Sequence, residues 1–196
     1  MLRENNDRFA YSMEDLEQFK GEPMSIGVVS EGRVYRPPHK LGGKEWGFVE
    51  KQWEKPEKLK FIRKSVQTKY ASATVVVKKK DDEGNYNDFR KCGDYRPINA
   101  LTPLDKYPLP LIENIFDDMK GAKIFSKLDL RSGYHQMPLV EEDRAKTTFW
   151  GARRMLWEWC VVPFGLKNAP PYFQRQIDHI LGGLTFARCY IDDIIV

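Results

Sequence analysis

Nothing in this 196-residue chain approaches the ~18 consecutive apolar residues that a bilayer-spanning helix needs. Its first residues, MLRENNDRFAY, carry charge where a secretory leader needs an apolar core. The expected setting is therefore intracellular and cytoplasmic, with no membrane partner. Cysteine is scarce as well. Cys92, Cys160 and Cys189 are odd in number and far apart, which excludes a disulfide framework and a zinc knuckle, and they read as reduced and buried. Internal repeats and low-complexity tracts are missing. So is the regular strand-helix-strand rhythm of a doubly wound parallel sheet, which leaves α+β as the expected fold class. No aromatic RNP motif is present, and this argues against a sheet that stacks RNA bases on exposed rings.

With 31% charged and 41% hydrophobic side chains, the composition is that of an ordinary globular chain and excludes whole-chain disorder, collagen and coiled coil. A net charge of +4 suits a phosphate-bearing partner without selecting one. Residues 1–43 are polar and interrupted by Gly21, Pro23, Gly27, Gly32, Pro37, Pro38, Gly42 and Gly43, and they read as a connecting arm in which Ser12 can cap one short turn. A helix is expected from Lys44 to about Lys60, ending or kinking near Lys55 because Pro56 removes a backbone bond at a cost of about 3 kcal/mol.

The β-branched run Thr74 to Val77, the turn former DDEGN and the stretch Tyr86 to Arg90 predict a hairpin. Its lysines form a basic ribbon beside Tyr86 and Phe89, either a solvated edge or a contact for nucleic acid. Pro108 and Pro110 precede an expected helix of about ten residues with Leu111, Ile112, Ile115, Phe116 and Met119 on one face. A strand is expected over Lys123 to Leu128. A second helix is expected to be capped by Asn168, with Phe173, Ile177, Ile180 and Leu181 inward, followed by a strand from Thr185 to Ile191.

The chemistry concentrates in YIDDIIV, residues 190–196, where Asp192 and Asp193 sit side by side in an apolar β-type run. Two adjacent anions repel, and burial beside isoleucines raises at least one pKa unless a cation is near. Either the pair is an exposed turn or a divalent metal resolves the conflict. Asp129 stands at the end of FSKLDL, before the tight Arg131-Ser132-Gly133 turn. If the two strands are neighbours, three carboxylates converge, an arrangement suited to in-line displacement at phosphorus with two metal ions.

The motifs RKCGDYRPIN (90–99), FSKLDLRSGYHQ (125–136), VPFGLKNAPPYFQ (162–174) and YIDDIIV, in that order, resemble the reverse transcriptase of gypsy-type long-terminal-repeat retrotransposons over about residues 60–196. The resemblance implies a polymerase palm, an antiparallel sheet with helices on one face, together with β-rich fingers, over residues 44–196. It implies Asp129, Asp192 and Asp193 as catalytic metal carboxylates for Mg²⁺, or Mn²⁺, with the Leu130 carbonyl assisting. Tyr134 then lies under the nucleotide sugar, and Lys79 and Arg90 grip the incoming triphosphate, a target that suits a guanidinium fork. Phe164, Gly165 and Gln174 back the nucleotide and the templating base, and Tyr190 touches the primer end. The implied partners are an RNA or DNA template-primer and deoxynucleoside triphosphates, in a retrotransposon particle where the chain is part of a polyprotein.

Pro56 and Pro171 depart from the family pattern, and the sequence stops just after the two aspartates. The chain therefore reads as a fingers-and-palm fragment whose thumb and ribonuclease H region lie outside it. Only Ile194, Ile195 and Val196 remain for a return strand, against an average of about 5 to 6 residues, so an open, association-prone edge is expected beside the aspartates. The rival reading is an inactive remnant that at most binds single-stranded nucleic acid through the basic ribbon. The three intact aspartates stand against it.

Overall fold

Local chemistry fixes the elements, which the computed structural model describes over residues 4–30, 32–39, 43–67, 69–79, 88–151 and 155–196. In chain order they are β1 (Val34–Tyr35), α1 (Gly43–Lys58), β2 (Ile62–Lys64), β3 (Tyr70–Ala71), β4 (Thr74–Lys79), β5 (Asp88–Gly93), α2 (Arg96–Leu101) and α3 (Ile112–Asp118). There follow β6 (Lys127–Asp129), α4 (Gly133–Gln136), α5 (Glu141–Arg144), β7 (Phe149–Trp150), β8 (Leu156–Trp159), α6 (Ala169–Leu181), β9 (Arg188–Tyr190) and β10 (Asp193–Ile195). The fold is α+β, as expected. Two three-stranded antiparallel sheets, β2-β8-β7 and β6-β10-β9, are joined by the β4-β5 hairpin and a short parallel pair, β1-β3.

The β-branched run forms β4 and pairs antiparallel with β5, Val77 opposite Arg90. The second strand is described over 88–93 and runs past Arg90 to Gly93, while residues 86 and 87 of the expected stretch, with the basic tip at 80–85, lie outside the described residues. Helix α1 runs past Pro56 to Lys58, a correction to the expected break. Proline lacks only its own N–H, and here its carbonyl accepts from Phe61 N at 2.9 Å while Lys55 O accepts from Leu59 N at 3.0 Å, so the last turn still closes.

Helix α3 keeps only Ile115 buried. Leu111, Ile112 and Phe116 face solvent, because no described element covers that side. The strand expected over 123–128 contracts to β6, since pairing is set by β10, and Ile124 is 86% exposed. In α6, Phe173 and Ile177 point inward as expected, whereas Ile180 is exposed. Asn168 holds the N-cap position of α6, but its side chain makes no capping bond: Oδ1 accepts from Asp105 N at 3.1 Å and Nδ2 donates to Pro103 O at 2.8 Å, tying down the preceding loop. Pro170 and Pro171 occupy the first turn, where a missing N–H leaves no bond unmade.

The core is aromatic and surrounds β8. The Trp53 ring lies 4.4 Å from Phe149 and 6.0 Å from Trp159, with Tyr95, Ile98, Val161, Val162 and Phe173 packed around them. Burying side chains of this size is worth about 1.5–3 kcal/mol each. Residues expected to form the arm reach this core, for Met24, Ile26 and Val34 are buried. Asp143 anchors them, accepting from Ile26 N at 2.6 Å and Ser25 Oγ at 2.8 Å, with Lys146 as its ion partner. All three cysteines are free, but only Cys189 is fully buried. Among the described residues no helix is long and apolar enough to cross a membrane.

Candidate active site

Three short strands bring the carboxylates together. In β6 and β10, Asp129 and Asp193 are direct register partners, so both side chains rise from one face of the sheet. Like charges placed opposite each other destabilise a sheet, and the chain supplies a cation. Lys127 lies two residues before Asp129, hence on the same face, and its Nζ is 2.9 Å from Asp193 Oδ1. Its pKa is held above the ordinary lysine value, first by the bond to Asp193, then by the charges of Asp193, Asp129 and Asp192. Asp193 is its ion partner, and Asp129 and Asp192 lie near enough to add to the same direction.

Pairing of Tyr190 with Asp193 leaves Ile191 and Asp192 as a two-residue loop, so Asp193 opens β10 and is no part of the turn. Ile191 takes φ 56, a left-handed conformation that costs a β-branched residue on the order of 1–3 kcal/mol. Leu130 N donates to Asp192 O at 2.8 Å, which fixes the loop against the end of β6. The return strand is not open, a second correction. β10 is the middle strand, bonded to β6 on one side and β9 on the other, and Ser126 and Val196 exchange two further backbone bonds.

Gln174 holds this loop from behind. Its side chain has no exposed surface, so direct contact with a template is excluded and the expected role is corrected. Its oxygen accepts from Ile191 N at 2.8 Å, and its amide donates to Cys189 O at 3.1 Å and to Asp178 Oδ1 at 2.8 Å. Asp178 is itself fixed by Tyr107, whose hydroxyl donates to Oδ2 at 2.7 Å.

After β6 the chain turns sharply: Ser132 takes φ 49 and Gly133 N donates to Leu130 O at 3.0 Å. A Cβ at Gly133 would lie 2.7 Å from the Phe173 ring, so only glycine permits this approach. Tyr134 follows, half-buried, its ring 5.3 Å from both Phe164 and Phe173. Burial, with the charges of Asp192 and Tyr190 added, pushes its phenol up to about 12, so it stays neutral at pH 7. Phe164 is exposed, and Gly165 beside it takes φ 96. The sequence reading missed Asn99, which sets this loop by donating to Gly165 O at 2.8 Å and accepting from Lys167 N at 2.9 Å. It missed Lys127 as well, although alternation along FSKLD places that lysine on the face of Asp129.

The structure thus gathers Asp129, Leu130, Asp192, Asp193, Tyr134, Phe164, Gly165 and Tyr190, with Gln174 behind them. Lys79 and Arg90 stand on the separate β4-β5 hairpin, and their expected grip on a triphosphate falls on side chains outside the described residues. As to a metal, the Asp129, Asp192 and Asp193 carboxylates and the Leu130 carbonyl offer oxygen donors only, the set that hard divalent cations prefer, and the Lys127 ammonium is already paired with Asp193. Among the described residues no three acidic, histidine or cysteine side chains form a closed cage, so ligation requires these exposed side chains to turn inward.

A family model described as reverse transcriptase (RNA-dependent DNA polymerase) matches residues 77–196. The chain is 38% identical over 192 residues to the retrovirus-related Pol polyprotein from transposon 297 of Drosophila melanogaster, covering 93% of this chain and 18% of that protein. It is 42% identical over 153 residues to the Pol polyprotein from transposon gypsy of the same species, covering 76% and 14%. The chain thus spans less than a fifth of the length of these relatives. Among solved structures, the foamy viral protease-reverse transcriptase in complex with RNA/DNA hybrid superposes with a TM-score of 0.86 at 20% identity, over 99% of this chain and 25% of that one.

Proposed function

Because the chain belongs to the reverse transcriptase family, we propose that it is the fingers and palm, residues 44–196 with the arm 1–43, of a retrotransposon polymerase that adds deoxynucleotides to a primer on an RNA or DNA template. The observation that carries this reading is the register of the small sheet, which sets Asp129 opposite Asp193 with Asp192 bonded to Leu130 beside them. Asp129, Asp192 and Asp193, assisted by the Leu130 carbonyl, would hold Mg²⁺ or Mn²⁺. When bound, the metal supplies Lewis acidity to the primer hydroxyl and offsets charge on the phosphates.

The chain's own residues do the rest. Tyr134, neutral and wedged between Phe164 and Phe173, is a wall under the sugar that leaves no room for a 2′-hydroxyl. Phe164 and Gly165 are assigned to the nucleotide's other side, and Tyr190, the partner of Asp193 in β9, to the primer end. Lys79 and Arg90 are assigned to the triphosphate. The site of action is intracellular, in a retrotransposon particle.

Primer extension on a poly-rA template with the purified chain tests the reading. Extension should need Mg²⁺ or Mn²⁺ and vanish in Asp192→Asn; extension that survives this change would remove the metal assignment. Binding of single-stranded RNA without extension under either ion, both in this chain and in one lengthened by a thumb, would favour a non-catalytic role instead.

A further inference from the structure

Gln174 is a fully buried polar side chain that bridges Cys189 and Ile191 at the start of the loop, and each of its hydrogen-bonding groups is committed. The carbonyl oxygen takes the Ile191 N–H, and the two amide hydrogens go to Cys189 O and Asp178 Oδ1. Asp178 can only accept and a backbone N–H can only donate, so these two groups allow the carboxamide one orientation. On either side of the amide lie the last residue but one of β9 and the strained Ile191 at φ 56. Strain of this kind persists only where the surroundings over-determine it. Within the sheet the loop is held by the Tyr190 to Asp193 pairing, by Leu130 N donating to Asp192 O at 2.8 Å and by Cys189 Sγ donating to Ile191 O at 3.0 Å; from outside the sheet, the Ile191 N–H is taken by a buried side chain on α6, a helix fixed in the core through Phe173 and Ile177.

We propose that Gln174 is a positioning residue: its carboxamide clamps Ile191 in the left-handed conformation and so sets the direction in which Asp192 and Asp193 leave the sheet. Asp178, oriented by Tyr107, is the latch that keeps the amide from flipping. This rests on the reading of the two aspartates as metal ligands, but the clamp itself is a statement about the loop and is measured there. Relaxation of Ile191 to an ordinary φ would open the two-residue loop that pairs Tyr190 with Asp193 and so shift Asp193, the first residue of β10, away from its partner Asp129 on the other side. The carboxylates then no longer meet on one face.

The test uses the full chain and Gln174→Met, which keeps the volume and removes every polar atom. Native-state hydrogen exchange should show the Ile191 amide protected in the wild type and exchanging about tenfold faster or more in Gln174→Met, measured relative to the Phe173 amide in the same helix. A general loss of stability moves both amides; loss of the clamp moves only Ile191. Mn²⁺ affinity should fall about tenfold in Gln174→Met, and that loss should shrink to about threefold or less in an Ile191→Gly background, where no left-handed strain has to be held. Unchanged relative exchange at Ile191, or an equal affinity loss in both backgrounds, would overturn the clamp. Asp192→Asn serves as the control. Full Mn²⁺ binding by that variant would remove the metal reading, and the exchange result would still decide the clamp.

Discussion

Two antiparallel sheets of three strands each lie in this chain, and they are built to opposite ends. In β2-β8-β7 the middle strand buries Trp157, Glu158 and Trp159, and even the acid is matched, its carboxylate taking Arg63 Nε at 2.7 Å and Ser65 Oγ at 2.6 Å. In β6-β10-β9 the middle strand is only half-buried, every residue of β6 is exposed, and two carboxylates are set face to face with a lysine between. Size and topology are shared; burial is not. The first sheet spends its side chains on packing, and the second keeps charged groups in water and leans on α6 for its shape. On the proposed function, the sheet that receives phosphates and metal is not the one from which the fold draws its stability.

If that contrast holds, the two sheets answer differently to substitution. The largest effect belongs to Trp159→Ala, which removes a ring packed against Trp53, Phe149 and His135; a loss of about 3–5 kcal/mol is expected in denaturant melts. Next comes Asp143→Asn, about 1–3 kcal/mol, because Lys146 loses its counter-charge and Ser25 and Ile26 keep a weaker acceptor. Burial raises the Asp143 pKa, but the bonds from Lys146, Ile26 and Ser25 outweigh it, and the folded value lies below the ordinary aspartate value. A depressed carboxylate contributes stability above its unfolded pKa of about 3.9 and loses it as pH falls through the folded value. Acid melts of the wild type should therefore steepen below about pH 4, and Asp143→Asn should flatten that dependence. Smallest is Lys127→Met in the exposed sheet, within about 1 kcal/mol, since the pair it breaks lies in solvent. A loss there as large as that of Trp159→Ala would erase the distinction between the sheets.

Much of this was legible in the residues, and the failures share a cause. Thr74 to Val77 announced a strand through β-branching, and Phe173 and Ile177 announced the inner face of α6 through their spacing; both signals are local. The convergence of Asp129 with Asp193 was conditional on two strands being neighbours, and the register supplied that condition. What could not be read locally was whatever a distant partner decides. The Asn168 side chain bonds the 103–105 loop instead of making a capping bond, because Asp105 N and Pro103 O lie within reach only in the fold. Gln174 faces inward because Ile191 and Cys189 pass behind α6, and no spacing rule reports that. Leu111, Ile112 and Phe116 obeyed helical periodicity yet remain uncovered, with only Ile115 buried, since periodicity marks a face and not what packs against it.

Asp129, exposed and set opposite Asp193, is where the separation of chemistry from stability is sharpest. Melting and Mn²⁺ titration on one preparation of Asp129→Asn measure both halves of the claim. The melting temperature should stay within about 2 °C of the wild type, as for an exposed side chain. The affinity for Mn²⁺ should fall at least about tenfold, the loss expected when a ligand or its support is removed. Wild-type Mn²⁺ affinity in Asp129→Asn, or a collapse of the melt with it, would contradict the assignment of chemistry to this sheet and of stability to the other.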